Sequence, residues 1–237
     1  MNAKIWYLYH SGFAVETPAH FFIFDYWRKT PVGKGLESGV IDIAALKDKD
    51  VVVFASHKHP DHYISDILDW RKEIPKLRLI LSDDIPAAEH AMMIGANRSL
   101  TQPDLQVQTL KSTDEGVAFI VDADGLRIYH AGDLNWWHWE GEPDEENEAM
   151  AANYQGQIAL LAGKPIDLAF VTLDPRLGKQ YAWGFDYLMR NAEVRHALPM
   201  HFGNARSTAA RLLKDPVSAE YRDRIIALVQ RGDSAEI

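Results

Sequence analysis

The sequence predicts a mixed α/β protein. Short β-branched and aromatic runs recur between turn residues, and helix-prone segments separate several of them. Hydrophobic residues make up 47% of the chain and charged residues 25%, which is ordinary for a globular protein with a sizeable core. A length of 237 residues suits one domain spanning the chain, 1–237.

The opening reads as an antiparallel meander. Ile5 to His10 alternate up to a turn at Ser11-Gly12. Phe13-Ala14-Val15-Glu16-Thr17 follows and stops at Pro18, and a third run, aromatic and apolar, covers 21–27. Residues 42–49 read as a short helix. Val51-Val52-Val53-Phe54-Ala55 is continuously apolar, the pattern of a strand buried on both faces. A helix over 65–73, a strand over 77–81 and a helix over 87–94 come next. The second half repeats the style. Strands are expected over 105–110, 117–121 and 126–130, with Asp124-Gly125 as a hairpin turn between the last two. A helix over 154–162, a buried strand over 167–173, a helix over 185–191, a short strand over 197–201 and a helix over 218–230 complete the reading. Two units of strands followed by helices can pack sheet on sheet with helices outside.

Composition narrows the function. The chain has 25 basic and 34 acidic residues, a formal net charge of −9. Phosphate backbones are held chiefly by Lys and Arg, so a dedicated nucleic-acid binder is disfavoured. No cysteine is present, which removes disulfides, thiolate nucleophiles and thiolate ligands together. No run of about 20 apolar residues offers a membrane span. The N-terminus lacks the apolar stretch and small-residue cleavage site of a signal peptide, and the expected compartment is the cytoplasm.

The chemistry concentrates in Ser56-His57-Lys58-His59-Pro60-Asp61-His62, directly after the buried strand. Imidazole and carboxylate are good ligands for borderline divalent metals such as zinc. Pro60 restricts the backbone of His59 before it and stiffens the loop. The chain has ten histidines, and three of them fall within these six positions.

This run resembles the His-x-His-x-Asp-His pattern of the metallo-β-lactamase-fold superfamily. Further segments agree in order: Tyr9-His10-Ser11-Gly12-Phe13 with Phe24-Asp25, then Tyr129-His130-Ala131-Gly132-Asp133, then Pro199-Met200-His201. Within the superfamily the chain looks closest to the small hydrolases related to ascorbate-6-phosphate lactonase. The resemblance implies an α/β fold in the form of a four-layer αββα sandwich, with one or two divalent metal ions at an edge between the sheets. It assigns His57 and His59 to one metal, Asp61, His62 and His201 to the second, and Asp133 to a bridge. The family usually supplies another histidine between the main motif and Asp133. Here that stretch reads Leu110-Lys111-Ser112-Thr113-Asp114-Glu115-Gly116-Val117, and His90 stands too early to replace it. Asp114 or Thr113 could help. Zinc is the first expectation, and the lost imidazole brings a harder metal such as manganese into consideration.

A bound divalent cation lowers the pKa of its water from about 15.7 to about 7, so hydroxide is available at neutral pH. The expected reaction is hydrolysis of a small anionic ester, lactone or phosphoester. Asp61 would orient the nucleophile or carry its proton. His10, at a strand end, and Arg176, in Asp174-Pro175-Arg176, are candidates to touch substrate, although Arg176 could equally form a salt bridge with Asp174. Asp25 could hydrogen-bond a ligand histidine or simply make a turn. Trp136, Trp137 and Trp139, with His138 among them, could wall a pocket or pack in the core. His20 and His196 carry no functional signal. The expected partner is a small molecule, with self-association left open. A nuclease of the same fold and a non-catalytic metal-binding module are the competing readings.

Overall fold

The computed structural model describes residues 2–32 and 34–237. Strands β1 (Lys4–Tyr9), β2 (Gly12–Glu16) and β3 (Phe21–Phe24) form the expected meander. Strands β4 (Val51–Ala55), β5 (Leu77–Ser82) and β6 (Ala91–Ile94) then add in parallel. Alternation sorts their side chains. Phe22, Phe24, Val52, Phe54 and Ile80 point into the core between the sheets. Phe21, Ile23, Val51, Val53, Leu79 and Leu81 point outward, where Leu46, Ile67, Trp70 and Ile74 cover them. That two-sided burial is why β4 reads as unbroken hydrophobe rather than as an alternation.

The second sheet is built from β7 (Ser99–Thr101), β8 (Leu105–Lys111), β9 (Val117–Ala123), β10 (Leu126–His130), β11 (Ile166–Thr172) and β12 (Val194–Met200). β7 to β10 are antiparallel neighbours, and β10, β11 and β12 run parallel. The β9–β10 hairpin turns at Asp124 and Gly125, both with positive φ (52° and 74°), as a two-residue turn of this kind requires. Helices α1 (Asp144–Ala159), α2 (Trp183–Asn191) and α3 (Ser207–Lys214) lie outside this sheet. Tyr154 of α1 donates its hydroxyl to the Gly184 carbonyl of α2 at 2.7 Å. A last strand, β13 (Ser234–Glu236), returns to pair with β1 and closes the first sheet. The architecture is therefore the four-layer αββα sandwich. Among the described residues no helix is long and apolar enough to cross a membrane.

Several local expectations are corrected. Residues 87–94 are not helical: Ala91–Ile94 is an edge strand beside β5. A four-residue apolar run carries no period that separates strand from helix, and the open edge of β5 decides it. The helix expected at 154–162 begins at Asp144 instead. Its first turn is Asp144, Glu145 and Glu146, an acidic run that favours the positive end of a helix dipole. The helix expected at 218–230 is absent; α3 lies earlier, and tight 3-10 turns at Pro216–Ser218 and Arg222–Arg224 replace it. Segments 42–49 and 65–73 form 3-10 turns, Ile43–Leu46 and Ser65–Lys72, rather than α-helix.

Candidate metal centre

The parallel strands β3, β4, β10, β11 and β12 all deliver their carboxyl ends to one edge of the sandwich, the place where open α/β sheets bind ligands. Asp25 follows β3, His57 follows β4, Asp133 follows β10, Asp174 follows β11 and His201 follows β12. Three residues here hold left-handed backbone, His10 (φ 60°), Asp25 (φ 44°) and His201 (φ 68°), which is uncommon outside glycine and clusters at functional sites.

The ligand loop is folded tightly on itself, with the His62 and Tyr63 amides both donating to the His59 carbonyl. Asp25 is fully buried and anchors the loop. One carboxylate oxygen accepts the Ser56 amide at 2.7 Å, and the other accepts the Ser56 hydroxyl and faces His62 Nδ1, each at 2.7 Å. The second bond turns His62 Nε2 toward Asp133. Asp174 does the same for His201: its Oδ2 meets Nδ1 at 3.0 Å and leaves Nε2 facing Asp133. Carboxylates behind imidazoles in this way fix the tautomer and ring direction of a metal ligand. Of the two roles open to Asp25, the bond to a histidine is therefore present.

Asp133 stands at the centre, and its two oxygens face different groups. Oδ1 is 3.3 Å from His62 Nε2 and 3.2 Å from His201 Nε2. Oδ2 is 3.6 Å from His57 Nε2, which in turn is 3.0 Å from His59 Nδ1. A zinc ion with nitrogen and oxygen donors at about 2.0–2.1 Å spaces neighbouring donors about 3.3 Å apart in a tetrahedron. The separations, 3.0–3.6 Å, lie within about 0.3 Å of that spacing around both oxygens of Asp133. His62 Nε2, Asp133 Oδ1 and His10 Nε2 are moreover buried with no hydrogen-bond partner. Buried polar atoms are rarely left so, and a shared cation would satisfy all of them. The residues present fit one or two divalent ions.

The hairpin turn between β8 and β9 brings Asp114 to the first position. His57, His59, Asp114 and Asp133 each offer an atom within 4.8 Å of the others. Asp114 lies in the 110–117 stretch, where the resemblance leads one to expect a further histidine. The turn is pinned in place: the Val117 amide donates to the Ser56 carbonyl at 2.9 Å, and Thr113 Oγ1 donates to the Asn135 carbonyl at 2.6 Å. Gly116 (φ 68°) is required there, because a Cβ would lie 2.0 Å from the Ser56 carbonyl oxygen. Thr113 spends its hydroxyl on this pin. At the second position His10, His62 and His201 form a comparable group, and Asp61 lies beside it with Oδ2 3.4 Å from His10 Nε2.

Charge follows geometry. Burial opposes ionisation of Asp133, but the charges of His62 and His201 overcome it and hold the carboxyl well below the usual range. Burial likewise opposes protonation of His201, yet Asp133 and Asp174 raise it to about 10. Burial lowers His57, whose proton-free nitrogen is the form that ligates.

The remaining candidates separate. Arg176 forks onto Asp174, so the salt bridge is present, and its guanidinium also lies 5.8 Å from the Trp139 ring centre. It lines a cavity of about 270 Å³ with Asp114, Asp133, Trp137, Trp139 and Met150. Trp137 and Trp139 stack there at 6.1 Å, whereas Trp136 packs on Tyr154, Trp183 and Tyr187 of the helical layer. His138 lies against Trp183. His130 is a buried strut: Nε2 meets the Ser11 carbonyl at 2.8 Å and its ring stacks on Phe24. His90 is exposed beside Glu89, away from the centre.

A sandwich with imidazoles and carboxylates gathered on this edge defines the metallo-β-lactamase class of fold. The sequence profile of the β-lactamase superfamily domain matches residues 4–141, more than half of the chain, and the chain belongs to that family. Solved structures agree on the fold. Igni18, described as a novel metallo hydrolase from the archaeon Ignicoccus hospitalis, aligns with TM-score 0.70 and 16% identity over 100% of this chain and 99% of its own. The metallo-beta-lactamase fold protein YhfI from Bacillus subtilis aligns with TM-score 0.62 and 13% identity over 100% and 99%. CmlA, a diiron beta-hydroxylase from Streptomyces venezuelae, aligns with TM-score 0.66 and 11% identity over 99% of this chain and 54% of its own. No curated protein matches the chain.

Proposed function

We propose that residues 1–237 act as one metallo-hydrolase domain that hydrolyses a small anionic ester, lactone or phosphoester in the cytoplasm. The carrying observation is the pair of donor groups meeting on the two oxygens of Asp133. In this reading His57, His59, Asp114 and Asp133 hold one divalent ion. His62, His201, Asp61 and Asp133 hold the second. Zinc suits the imidazoles, and manganese suits the first position, which Asp114 makes richer in oxygen. A bound cation supplies Lewis-acid charge and brings the pKa of water to about 7.

The chain's own groups do the rest. Asp61 is about half exposed and ionised, since the His10 imidazole 3.4 Å away outweighs partial burial and keeps its carboxyl well below the usual range. It accepts a hydrogen bond from the attacking water and aims it. Asp25 and Asp174 hold His62 and His201 in one tautomer, so no reorganisation is needed during reaction. Arg176 spends Nε and Nη2 on Asp174 and turns its remaining edge to the cavity, where a substrate anion would pair with it. The indoles of Trp137 and Trp139 wall the apolar part of the substrate. The lactone arm follows only from the likeness of the sequence motifs to small hydrolases related to ascorbate-6-phosphate lactonase. Net charge −9 weighs against a nuclease, and Asp114 beside His57, His59 and Asp133 weighs against a lapsed centre.

The test is elemental analysis of purified protein beside a panel of lactones, carboxylic esters, phosphomonoesters and phosphodiesters. One or two equivalents of zinc or manganese, and turnover that a chelator abolishes and metal restores, are expected. Protein that takes up no metal, or turnover indifferent to chelation, would overturn the reading.

A further inference from the structure

Resting on that reading, we propose that His10 is itself a ligand of the second cation position, which then holds three imidazoles against two in the first. The sequence suggests a substrate contact for His10, but the geometry points elsewhere. Its Nε2 is buried, has no hydrogen-bond partner and belongs to the group formed with His62 and His201. Its ring centre is 4.1 Å from that of His201 and 5.7 Å from that of His62. It does not line the cavity walled by Trp137, Trp139 and Arg176, where a substrate would lie.

The backbone holds His10 for this task. Its amide donates to the Tyr7 hydroxyl at 2.8 Å, and its carbonyl accepts the His201 amide at 3.1 Å. The loop after β1 is thereby tied to the loop after β12, and two left-handed residues, His10 and His201, present their rings to one point. Asp61 Oδ2 lies 3.4 Å from His10 Nε2, the edge length expected of two donors on one ion.

The two positions are then chemically unequal. The second is nitrogen-rich and its imidazoles are the less exposed, His10 14%, His62 0% and His201 4% at the side chain, with Asp61 its open side at 47%. The first is more open and richer in oxygen, with His59 39% and Asp114 43% exposed. Imidazole donors favour zinc and carboxylates favour harder ions. Zinc should fill the second position first.

The experiment is a Zn2+ titration of metal-stripped wild type and His10→Asn, read by equilibrium dialysis and by the visible spectrum of the Co2+ form. Asparagine tolerates left-handed backbone and lacks the imidazole. The wild type should show two classes of site. His10→Asn should lose the tighter class, or weaken it at least tenfold, keep the weaker class, and shift the Co2+ spectrum. Retention of the weaker class reports that the variant is folded. Two sites of unchanged affinity and an unchanged spectrum in His10→Asn would overturn the assignment while leaving the hydrolase reading intact. Wild type that binds no cation would remove both.

Discussion

Two clusters of histidine and aspartate sit at opposite edges of the same sandwich, and only one is arranged as a centre. At the upper edge Nε2 of His10 and Nε2 of His62 converge on carboxylate oxygens without hydrogen-bond partners. At the lower edge His20 is buried and both nitrogens are used: Nδ1 meets Asp124 at 2.9 Å and Nε2 meets Asp104 at 3.0 Å. His20, Asp50 and Asp104 approach closely enough to hold an ion. Arg78 already supplies the cation there, bonding Asp104 at 2.8 Å and Asp50 at 2.6 Å. Residue types are shared; the unspent Nε2 atoms mark the upper edge, where the one guanidinium, Arg176, bonds Asp174 and leaves Asp133 and Asp114 unbonded by any guanidinium among the described residues. The lower cluster is a clasp between sheets, since His20 precedes β3 of the first sheet while Asp104 and Asp124 flank strands of the second.

The sharpest way to break this contrast is to remove one imidazole from each edge. His57→Ala should cost at least one equivalent of metal. Lewis-acid stabilisation is worth several kcal/mol, so kcat/KM should fall by about a thousandfold or more. His20→Ala should leave metal content unchanged. Metal retained in the first variant, or lost in the second, would dissolve the distinction.

A smaller effect is expected from Asp174→Asn. The amide keeps the shape but cannot hold the charge behind His201 Nδ1. Losing such a partner typically weakens metal affinity by about 10–100-fold. Competition with a chromophoric chelator would read it, and an unchanged affinity would reduce Asp174 to a partner of Arg176 alone.

The third effect is on stability. His20→Ala leaves Asp124 without its imidazole partner and removes the link to Asp104. Hydrogen bonds to charged groups contribute about 1.5–3 kcal/mol each, and solvent at the half-exposed Asp104 reduces its share, so a loss of about 2 kcal/mol is expected. For a chain of this size that is a drop in Tm of roughly 4–8 °C, measurable by calorimetry on the metal-loaded protein.

How much of this was legible follows from where each signal lies. β4 and the 57–62 loop announce themselves locally, because an unbroken buried strand and clustered imidazoles need no tertiary context. Asp133 and His201 are single residues at strand ends, and only a resemblance set them beside the loop. Asp114 had no such help: a carboxylate in a turn looks the same whether it faces solvent or His59, and the approach of Gly116 to Ser56 that delivers it is a tertiary fact. His20 carried no signal for the same reason, since its partners Asp104 and Asp124 stand 84 and 104 residues away. Two strands lay beyond the sequence reading for one reason, Ala91–Ile94, expected as helix, and Ser234–Glu236, for which no element was expected. Both are short edge strands whose partners, rather than their own periods, make them strands.

The smallest expected effect is a pH dependence that isolates the lower clasp. Burial favours neutral His20, but hydrogen bonds to Asp124 and Asp104 outweigh it and raise its pKa above the ordinary value. In the unfolded chain histidine titrates near about 6.5. Between that value and the folded one, the native state keeps a proton that the unfolded state releases. The clasp therefore contributes fully below about pH 6.5, and its contribution is lost as pH rises through the folded value. Other groups titrate too, so the quantity to follow is the difference in unfolding free energy between wild type and His20→Gln, both metal-loaded, from about pH 5.5 to 9. That difference should shrink as pH rises. A gap that stays constant or widens would mean that His20 is held neutral, and the lower edge would then be a polar contact rather than an ion-paired clasp.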